Sequence, residues 1–190
     1  MSNDLLIINN KYLIKKTKIN NKSIYKSCEG GDKYSEKKYH LIYEKFFSKY
    51  RNNSINFLEI GILQGFSLAV HSDYFKNANL YGYDIDIQPF NNNFKFLKSI
   101  GCFSNNNLKE IKKINSLNKI NINILFDIIL DDGDHNPCAQ IKTFENYYKF
   151  LNKDGIYIIE DITDFRYNCL KIYFDYLSIN FIFERYHETH

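Results

Sequence analysis

The stretch "INFLEIGILQGFSLAVHSDYFKNANLYGYDID", residues 55–86, decides the fold of this chain. It begins with a short apolar run, passes through two glycines into the helical segment "FSLAVHSDYF", and ends in a second apolar run, "NLYGYDID". Strand, helix and strand in this order predict a βαβ unit, in which the two strands are parallel and the crossover between them is right-handed.

The segments on either side of this unit continue the alternation of helices and strands. Asn136 followed by Pro137 is typical of an N-cap and first turn, and Gly155 is expected to stop the helix that they open. The further predicted elements are an amphipathic helix over 35–51, a weak strand near 94–100, a polar helix near 106–117, a strong strand at 124–130, a helix from 137 to about 152, a strand at 155–160, a helix around 167–177 and a final strand in "INFIFERY".

This order predicts the α/β class, specifically a doubly wound, Rossmann-like sheet of about six mainly parallel strands with an N-terminal helical extension. A chain of 190 residues is large enough to bury one core, so we expect a single domain. In that domain residues 1–54 form the N-terminal segment and helix, and residues 55–190 form the ligand-binding α/β core.

Composition and charge narrow the function classes. The net charge of +3 comes from 25 basic and 22 acidic residues, an excess too small to favour a nucleic-acid partner. The four cysteines show no CxxC spacing, which favours reduced thiols in the cytosol over a disulfide framework or a zinc site. The apolar run Leu5–Ile8 is too short for a signal segment or a membrane span, so we expect a cytoplasmic protein without a membrane partner.

The glycine loop "LEIGILQGFS" places Glu59, Gly61, Gly65 and Ser67 between the first strand of the unit and its helix. Ligands of open parallel sheets bind in the crevice at these strand ends. The spacing is GxxxG and not the GxGxxG of dinucleotide folds, which argues against NAD. Asp84, at the end of the next strand, is positioned to accept both ribose hydroxyls. Together these residues predict a site for an adenosyl ligand.

A second group of polar residues follows the strand in "FDIILDDGDHNP", residues 126–137. So many ionisable groups at the end of a buried strand are costly unless a ligand uses them. Asp131 and Asp132 follow one strand, and Glu160 and Asp161 follow the next, so the four carboxylates are expected to converge at one edge of the sheet. Consecutive residues of a strand point in opposite directions, which makes one member of each pair, or both where the strand ends, a candidate ligand.

With these motifs the chain resembles class I S-adenosylmethionine-dependent methyltransferases. More narrowly, it resembles the sugar O-methyltransferases of the mycinamicin/macrocin and rhamnosyl type, with cephalosporin hydroxylase-like relatives. The resemblance rests on "GGDKYSEKKYHLIYEKFF" (30–47), "FLEIGILQGFS" (57–67), "YGYDID" (81–86), "DIILDDGDHNP" (127–137) and "GIYIIEDI" (155–162).

The resemblance implies two bound groups. S-adenosylmethionine is expected at Lys33, Glu59, Gly61, Gly65, Ser67, Asp84 and Asp131, and Mg²⁺ at Asp131, Asp132, Glu160 and Asp161. Lys33 has two interpretations, contact with the cofactor carboxylate or exposure to solvent. Asp134 stands where the relatives usually have serine, and it is either a metal ligand or a cap of the following helix.

The chemistry of methyl transfer gives these residues roles. A sugar hydroxyl is a poor nucleophile near neutral pH, and a bound cation polarises it and orients it. Mg²⁺ prefers oxygen ligands, and Asp132 and Asp161 are the preferred candidates. For Glu160 and Asp161 an ordinary role at the end of a strand stays open. We expect His135 to act as general base with Asp132 as its catalytic partner, and the alternative is a capping or surface histidine.

The leading hypothesis is therefore a Mg²⁺-dependent O-methyltransferase for a small-molecule or nucleotide-linked sugar. Two alternatives remain: a methyltransferase for another small hydroxylated acceptor such as a catechol-like phenol, and a non-catalytic cofactor-binding subunit. After "FIFERY" the final antiparallel strand that this class usually adds is expected to be missing, which favours the non-catalytic alternative. An uncovered sheet margin would favour a homodimer.

Overall fold

The computed structural model describes residues 4–8, 33, 39–99, 103, 107–114 and 123–185. Short 3₁₀ turns occur at Ser48–Tyr50 and Tyr148–Phe150. The elements are β1 Asp4–Ile8, α1 Tyr39–Phe47, β2 Asn56–Ile60, α2 Phe66–Tyr74, β3 Asn79–Asp84, α3 Gln88–Ser99, β4 Leu108–Lys113, β5 Phe126–Asp131, α4 Pro137–Tyr147, β6 Leu151–Ile159, α5 Asp164–Tyr176 and β7 Ile182–Arg185.

The strands form one seven-stranded sheet in the order β4-β3-β2-β5-β6-β1-β7. The five strands from β4 to β6 are parallel, and β1 is antiparallel to both β6 and β7. The βαβ unit is β2-α2-β3, with Phe57 opposite Leu80 in register. The α/β class with a mainly parallel, Rossmann-like sheet is therefore confirmed, and the sheet has one strand more than expected.

Helices cover both faces of the sheet, because alternate residues of the central strands point to opposite sides. Phe57 packs into a core with the apolar faces of α1, α2 and α3. The next residue, Leu58, packs into a second core with α4 and α5. Strands buried on both faces explain the continuous apolar runs of β2 and β5.

The predicted weak strand near 94–100 is wrong, because residues 94–99 are the C-terminal part of α3. Phe90, Phe94 and Leu97 follow the helical spacing i, i+4 and i+7, and they place one face of α3 on the core. The run of asparagines between the aromatic residues hides this period in the sequence.

The predicted polar helix near 106–117 is also wrong, because residues 108–113 form β4. This strand lies at the margin of the sheet, where it pairs with β3 and leaves its other edge unpaired within the described residues. Lysines at 109, 112 and 113 suit an edge strand, because charge discourages pairing with another chain.

Gly155 does not stop a helix. Helix α4 ends at Tyr147, and Gly155 lies inside β6, which begins at Leu151. The N-cap prediction is confirmed, since the Asn136 side chain accepts a hydrogen bond from the Cys138 N–H at 2.9 Å and Pro137 begins the helix.

Strand β1 lies beside β6, at the sheet margin that was expected to be uncovered. Leu6 pairs with Ile159 of β6 on one side and with Phe183 of β7 on the other. The antiparallel strand next to β6 thus comes from the N-terminal segment and not from the C-terminus. The margin of β6 gives no support to a homodimer, which stays a prediction.

None of the helices in the part of the chain that the structure describes combines the length and the apolar composition that crossing a bilayer requires.

Candidate active site

The glycine loop lies against the residues that follow β5. The Gly61 N–H donates to the Tyr83 carbonyl oxygen at 2.8 Å, and the Asp132 N–H donates to the Ile60 carbonyl oxygen at 2.9 Å. Gly61 has φ +84°, and a Cβ atom built on it would lie 2.2 Å from the Asp132 carbonyl oxygen. Only glycine satisfies both conditions, so this residue lets the loop approach the backbone of Asp132.

Asp84 joins the glycine loop to the end of β3. Its carboxylate accepts the Leu63 N–H at 2.9 Å with Oδ2 and the Asp86 N–H at 3.0 Å with Oδ1. Each carboxylate oxygen keeps a further lone pair, so both can still accept a ligand hydroxyl. Leu63, whose N–H contacts this carboxylate, and Ile85, the next residue after Asp84, have side chains that are 67% and 68% exposed and offer apolar surface.

Lys33 lies among the carboxylates at the ends of three neighbouring strands. Its Nζ is 3.1 Å from Glu59 Oε1, 2.9 Å from Asp132 Oδ2 and 3.0 Å from Glu160 Oε2. Lys33 is 5% exposed, so solvent exposure, one of its two predicted interpretations, does not apply. The three carboxylates carry more negative charge than one ammonium neutralises.

Glu59 is fully buried and ionised. Burial favours the neutral acid, but the Lys33 ammonium, together with His71 and Ser67, outweighs it and holds the pKa of Glu59 at about 2. His71 Nδ1 lies 3.6 Å from Glu59 Oε2. Burial lowers the pKa of His71, and Glu59 only partly offsets this. The imidazole is therefore neutral at neutral pH, and Lys33 is the main counter-charge of Glu59.

A second group of side chains surrounds His135. Its Nε2 lies 3.5 Å from Asp132 Oδ1 and 3.3 Å from Asp161 Oδ2. One ligand atom from each of these three residues falls within a span of 4.8 Å. The hydrogen bond with Asp132 raises the pKa of His135 more than burial lowers it, and the charge of Asp161 adds to the rise.

Residues outside this group fix the position of Asp161. The Tyr39 hydroxyl donates to Asp161 Oδ1 at 2.6 Å, and Arg166 Nη1 donates to the Asp161 carbonyl oxygen at 2.6 Å. Asp161 has φ +56°, a left-handed conformation that the Arg166 contact helps to hold. Gln140 Nε2 donates to the Glu160 carbonyl oxygen at 3.1 Å.

The carboxylates of Asp131 and Asp134 make their hydrogen bonds outside the groups around Lys33 and His135. The Asp131 carboxylate accepts the Tyr157 hydroxyl at 3.3 Å and the Gly133 N–H at 3.3 Å. Burial raises the pKa of Asp131 to about 7, and these two donors only partly offset it. Asp134 Oδ1 accepts the Asn136 N–H at 2.9 Å, so its carboxylate forms a turn before the helix N-cap.

The donor sets fit both implied groups. Asp132 and Asp161 supply carboxylate oxygens for Mg²⁺, within reach of one another and beside further negative charge on Glu160. Asp84 supplies acceptors for a ribose diol beside the glycine loop. Gly65, by contrast, faces protein: a Cβ atom there would lie 2.5 Å from the ring of Phe90.

The structure thus brings most of the predicted residues into one region. One group consists of Lys33, Glu59, Asp132 and Glu160, and the adjoining group consists of Asp132, His135 and Asp161. Sequence reasoning missed Tyr39, Arg166 and His71, which contact the predicted residues from helices. The motif "GGDKYSEKKYH" contains both Lys33 and Tyr39, and it is the sequence signal that could have placed Tyr39 at the site.

No protein-family model matches the chain. Protein R132 of Acanthamoeba polyphaga mimivirus is 29% identical over 137 residues, which cover 68% of this chain and 61% of R132. The 8-demethyl-8-alpha-L-rhamnosyl tetracenomycin-C 2'-O-methyltransferase of Streptomyces olivaceus is 26% identical over 141 residues, which cover 70% of this chain and 35% of that enzyme.

Among solved structures, the precorrin-6y C5,15-methyltransferase of Geobacter metallireducens superposes with a TM-score of 0.52 at 14% identity, over 70% of this chain and 66% of that one. The chain therefore shares its fold with this methyltransferase. The resemblance to class I methyltransferases is confirmed by the O-methyltransferases among its relatives in sequence. Within the class, the named relatives in sequence are sugar O-methyltransferases, of which this chain spans about one third, as the 35% coverage of the tetracenomycin enzyme illustrates.

Proposed function

We propose that this chain is an S-adenosylmethionine-dependent O-methyltransferase that acts on a sugar hydroxyl with the help of Mg²⁺. The observation that carries the proposal is the group formed by Asp132, His135 and Asp161 beside the glycine loop. An imidazole between two carboxylates, next to acceptors for a ribose, suits a reaction that removes a hydroxyl proton.

The residues divide into those that hold the cofactor and those that act on the acceptor. Gly61 and Asp84 form the crevice for the adenosyl part, with Glu59 and Ser67 behind the loop. Asp132 and Asp161 are the residues that would hold Mg²⁺. When bound, S-adenosylmethionine supplies an electrophilic methyl group, and Mg²⁺ supplies a positive charge that acidifies a hydroxyl.

His135 Nε2 is the proposed proton acceptor. It lies 3.5 Å from Asp132 Oδ1 and 3.3 Å from Asp161 Oδ2, so the proposed base adjoins the residues that would hold the metal and its acceptor hydroxyl. Tyr39 and Arg166 hold Asp161 in place, so the geometry around His135 exists before the acceptor binds. The name of the tetracenomycin enzyme supports a sugar as the acceptor, because it places the methylated oxygen at the 2' position of a rhamnosyl compound.

Calorimetry with S-adenosylmethionine, with and without Mg²⁺, tests the cofactor assignment. We expect binding under both conditions. Absence of binding under both conditions would remove the enzyme hypothesis and leave a non-catalytic module. Methyl transfer to a panel of nucleotide-linked and free deoxysugars, with a catechol as comparison, then tests the acceptor class.

The His135→Ala variant tests the base. We expect transfer to fall at least about a hundredfold, the usual contribution of a general base. Asp134→Asn is the matched control, because it removes a neighbouring charge whose carboxylate faces the Asn136 N–H. Undiminished turnover by His135→Ala would refute the base assignment, and an equal loss in Asp134→Asn would attribute the effect to the loop.

A further inference from the structure

Helix α5 carries apolar side chains on two opposite faces. Leu170 and Phe174 are fully buried and belong to the core on that side of the sheet. On the outer face Phe165, Ile172 and Tyr176 are 71%, 73% and 84% exposed. A helix that already buries one apolar face needs no second one for folding, so the outer face is a candidate interaction surface.

The exposed residues lie on one line with Cys169, which is half-buried. We call this line the α5 stripe, and it consists of Phe165, Cys169, Ile172 and Tyr176. Its spacings are four, three and four residues, which follow the helical period of about 3.6 and keep all four side chains on one face. These spacings are the same from either end of the helix. Two antiparallel copies of α5 therefore place Phe165 opposite Tyr176, and Cys169 opposite Ile172, in both directions.

The size of the α5 stripe suits a weak dimer. An aromatic side chain offers about 150–250 Å², so the exposed parts of Phe165, Ile172 and Tyr176 amount to roughly 450 Å² in each chain. Two chains would bury about 900 Å² from these side chains alone, and the residues around them bring the contact to the lower end of specific interfaces, near about 1,000 Å². Lys171 and Asp175 form an ion pair on the flank of the helix, so these two charges are already compensated when a second copy approaches.

We propose that the α5 stripe is the contact surface of a symmetric homodimer, in which two copies of α5 pack antiparallel across a two-fold axis. The partner is a second copy of this chain, because the stripe is complementary to itself in the reversed direction. This inference goes beyond the proposed function and does not depend on it. The stripe begins at Phe165, beside Arg166 of the candidate active site, so the two sites of the dimer lie at opposite ends of the helix pair.

The thiol of Cys169 tests the antiparallel arrangement directly. With the helix axes about 8 Å apart, the two Cys169 Cα atoms would lie about 6 Å from each other, a distance that a disulfide spans. A protein that keeps Cys169 and has serine at positions 28, 102 and 138 should therefore form a covalent dimer with diamide, which takes up the two electrons and two protons that the thiols release. Cys169→Ser, with the other cysteines kept, is the control and should give no dimer band on a non-reducing gel.

Sedimentation velocity measures the dimer without a cross-link. An interface of this size predicts a dissociation constant of about 1–100 μM, so the wild type should shift from monomer to dimer between about 1 and 200 μM. Ile172→Glu places a charge at the centre of the contact and should remain monomeric throughout. Phe96→Glu is the matched control, because Phe96 is 50% exposed on α3, at the other face of the sheet, and this variant should dimerise like the wild type.

Three results would overturn the inference: a wild type that is monomeric at about 200 μM, an Ile172→Glu protein that dimerises with wild-type affinity, or a dimer that gives no cross-link through Cys169. The cross-linking experiment keeps Ile172 and decides the question even if Ile172→Glu does not fold, which circular dichroism would reveal. None of these measurements uses cofactor, metal or acceptor. A chain that fails to dimerise but binds S-adenosylmethionine therefore refutes the dimer and leaves the proposed function standing.

Discussion

The buried Glu59 makes the stability of this protein depend on pH in a defined way. Its pKa in the folded state is about 2, against an ordinary value of 4.5. On acidification the unfolded chain therefore takes up the proton first, and the stabilisation, fully present above pH 4.5, is lost as the pH falls from there toward 2. A fall in pKa from 4.5 to about 2 corresponds to about 3 kcal/mol.

The variant Glu59→Gln removes this titration and nearly keeps the size of the side chain. The difference in unfolding free energy between the wild type and the variant should therefore be larger at pH 7 than at pH 3.5. From the two pKa values, roughly 1 kcal/mol of the wild-type advantage disappears over this interval, and the rest disappears below it. Urea unfolding followed by circular dichroism at the two pH values measures the difference.

Glu145→Gln is the control, because the Glu145 side chain is 45% exposed and pairs with Lys142 on the surface at 3.4 Å. We expect that variant to stay within about 0.5 kcal/mol of the wild type at both pH values. An advantage of the wild type over Glu59→Gln that is the same at pH 7 and at pH 3.5 would refute the reasoning, since Lys33 would then not hold Glu59 in its ionised form.

Three further substitutions probe the loop, the acidic group and the sheet. In Gly61→Ala the added methyl group would lie 2.2 Å from the Asp132 carbonyl oxygen, and φ of residue 61 is +84°. We therefore expect the free energy of unfolding in urea to fall by about 2 kcal/mol or more, and calorimetry to show weaker cofactor binding. An unchanged unfolding midpoint would contradict this. Tyr39→Phe removes the donor to Asp161 and should cost about 1–2 kcal/mol in the same assay, whereas a cost near zero would show that this hydrogen bond contributes nothing. Leu6→Pro removes an N–H from a strand paired on both sides, and a loss of about 3 kcal/mol should lower the melting temperature, unless β1 is dispensable.

The parts of the fold that the sequence could predict have local signals. The βαβ unit, the strands β5 and β6 and the cap at Asn136 each follow from short patterns of apolar residues and turn formers. The position of Asp84 beside the glycine loop follows from chain order in a parallel sheet. Segments without a clear period were assigned wrongly: α3 hides its apolar face among asparagines, and β4 is an edge strand with four charged residues.

The remaining features depend on contacts between distant residues, which periodicity does not encode. Nothing near Lys33 indicates that it meets Glu59, 26 residues away, or that Tyr39 reaches Asp161, 122 residues away. Likewise, four apolar residues at Leu5–Ile8 are compatible with several partners, and only the assembled sheet places them between β6 and β7.

The N-terminal segment contacts the same strand of the site in two ways, and this connects the fold to the chemistry. Strand β1 pairs with Tyr157 to Ile159 of β6, immediately before Glu160 and Asp161. Lys33 contacts the Glu160 carboxylate, and Tyr39 contacts the Asp161 carboxylate. If β1 positions the end of β6, then Leu6→Pro should weaken Mn²⁺ binding as well as lower the melting temperature. A folded Leu6→Pro protein with wild-type Mn²⁺ affinity would instead show that Lys33, Tyr39 and Arg166 fix the acidic group without help from the sheet margin.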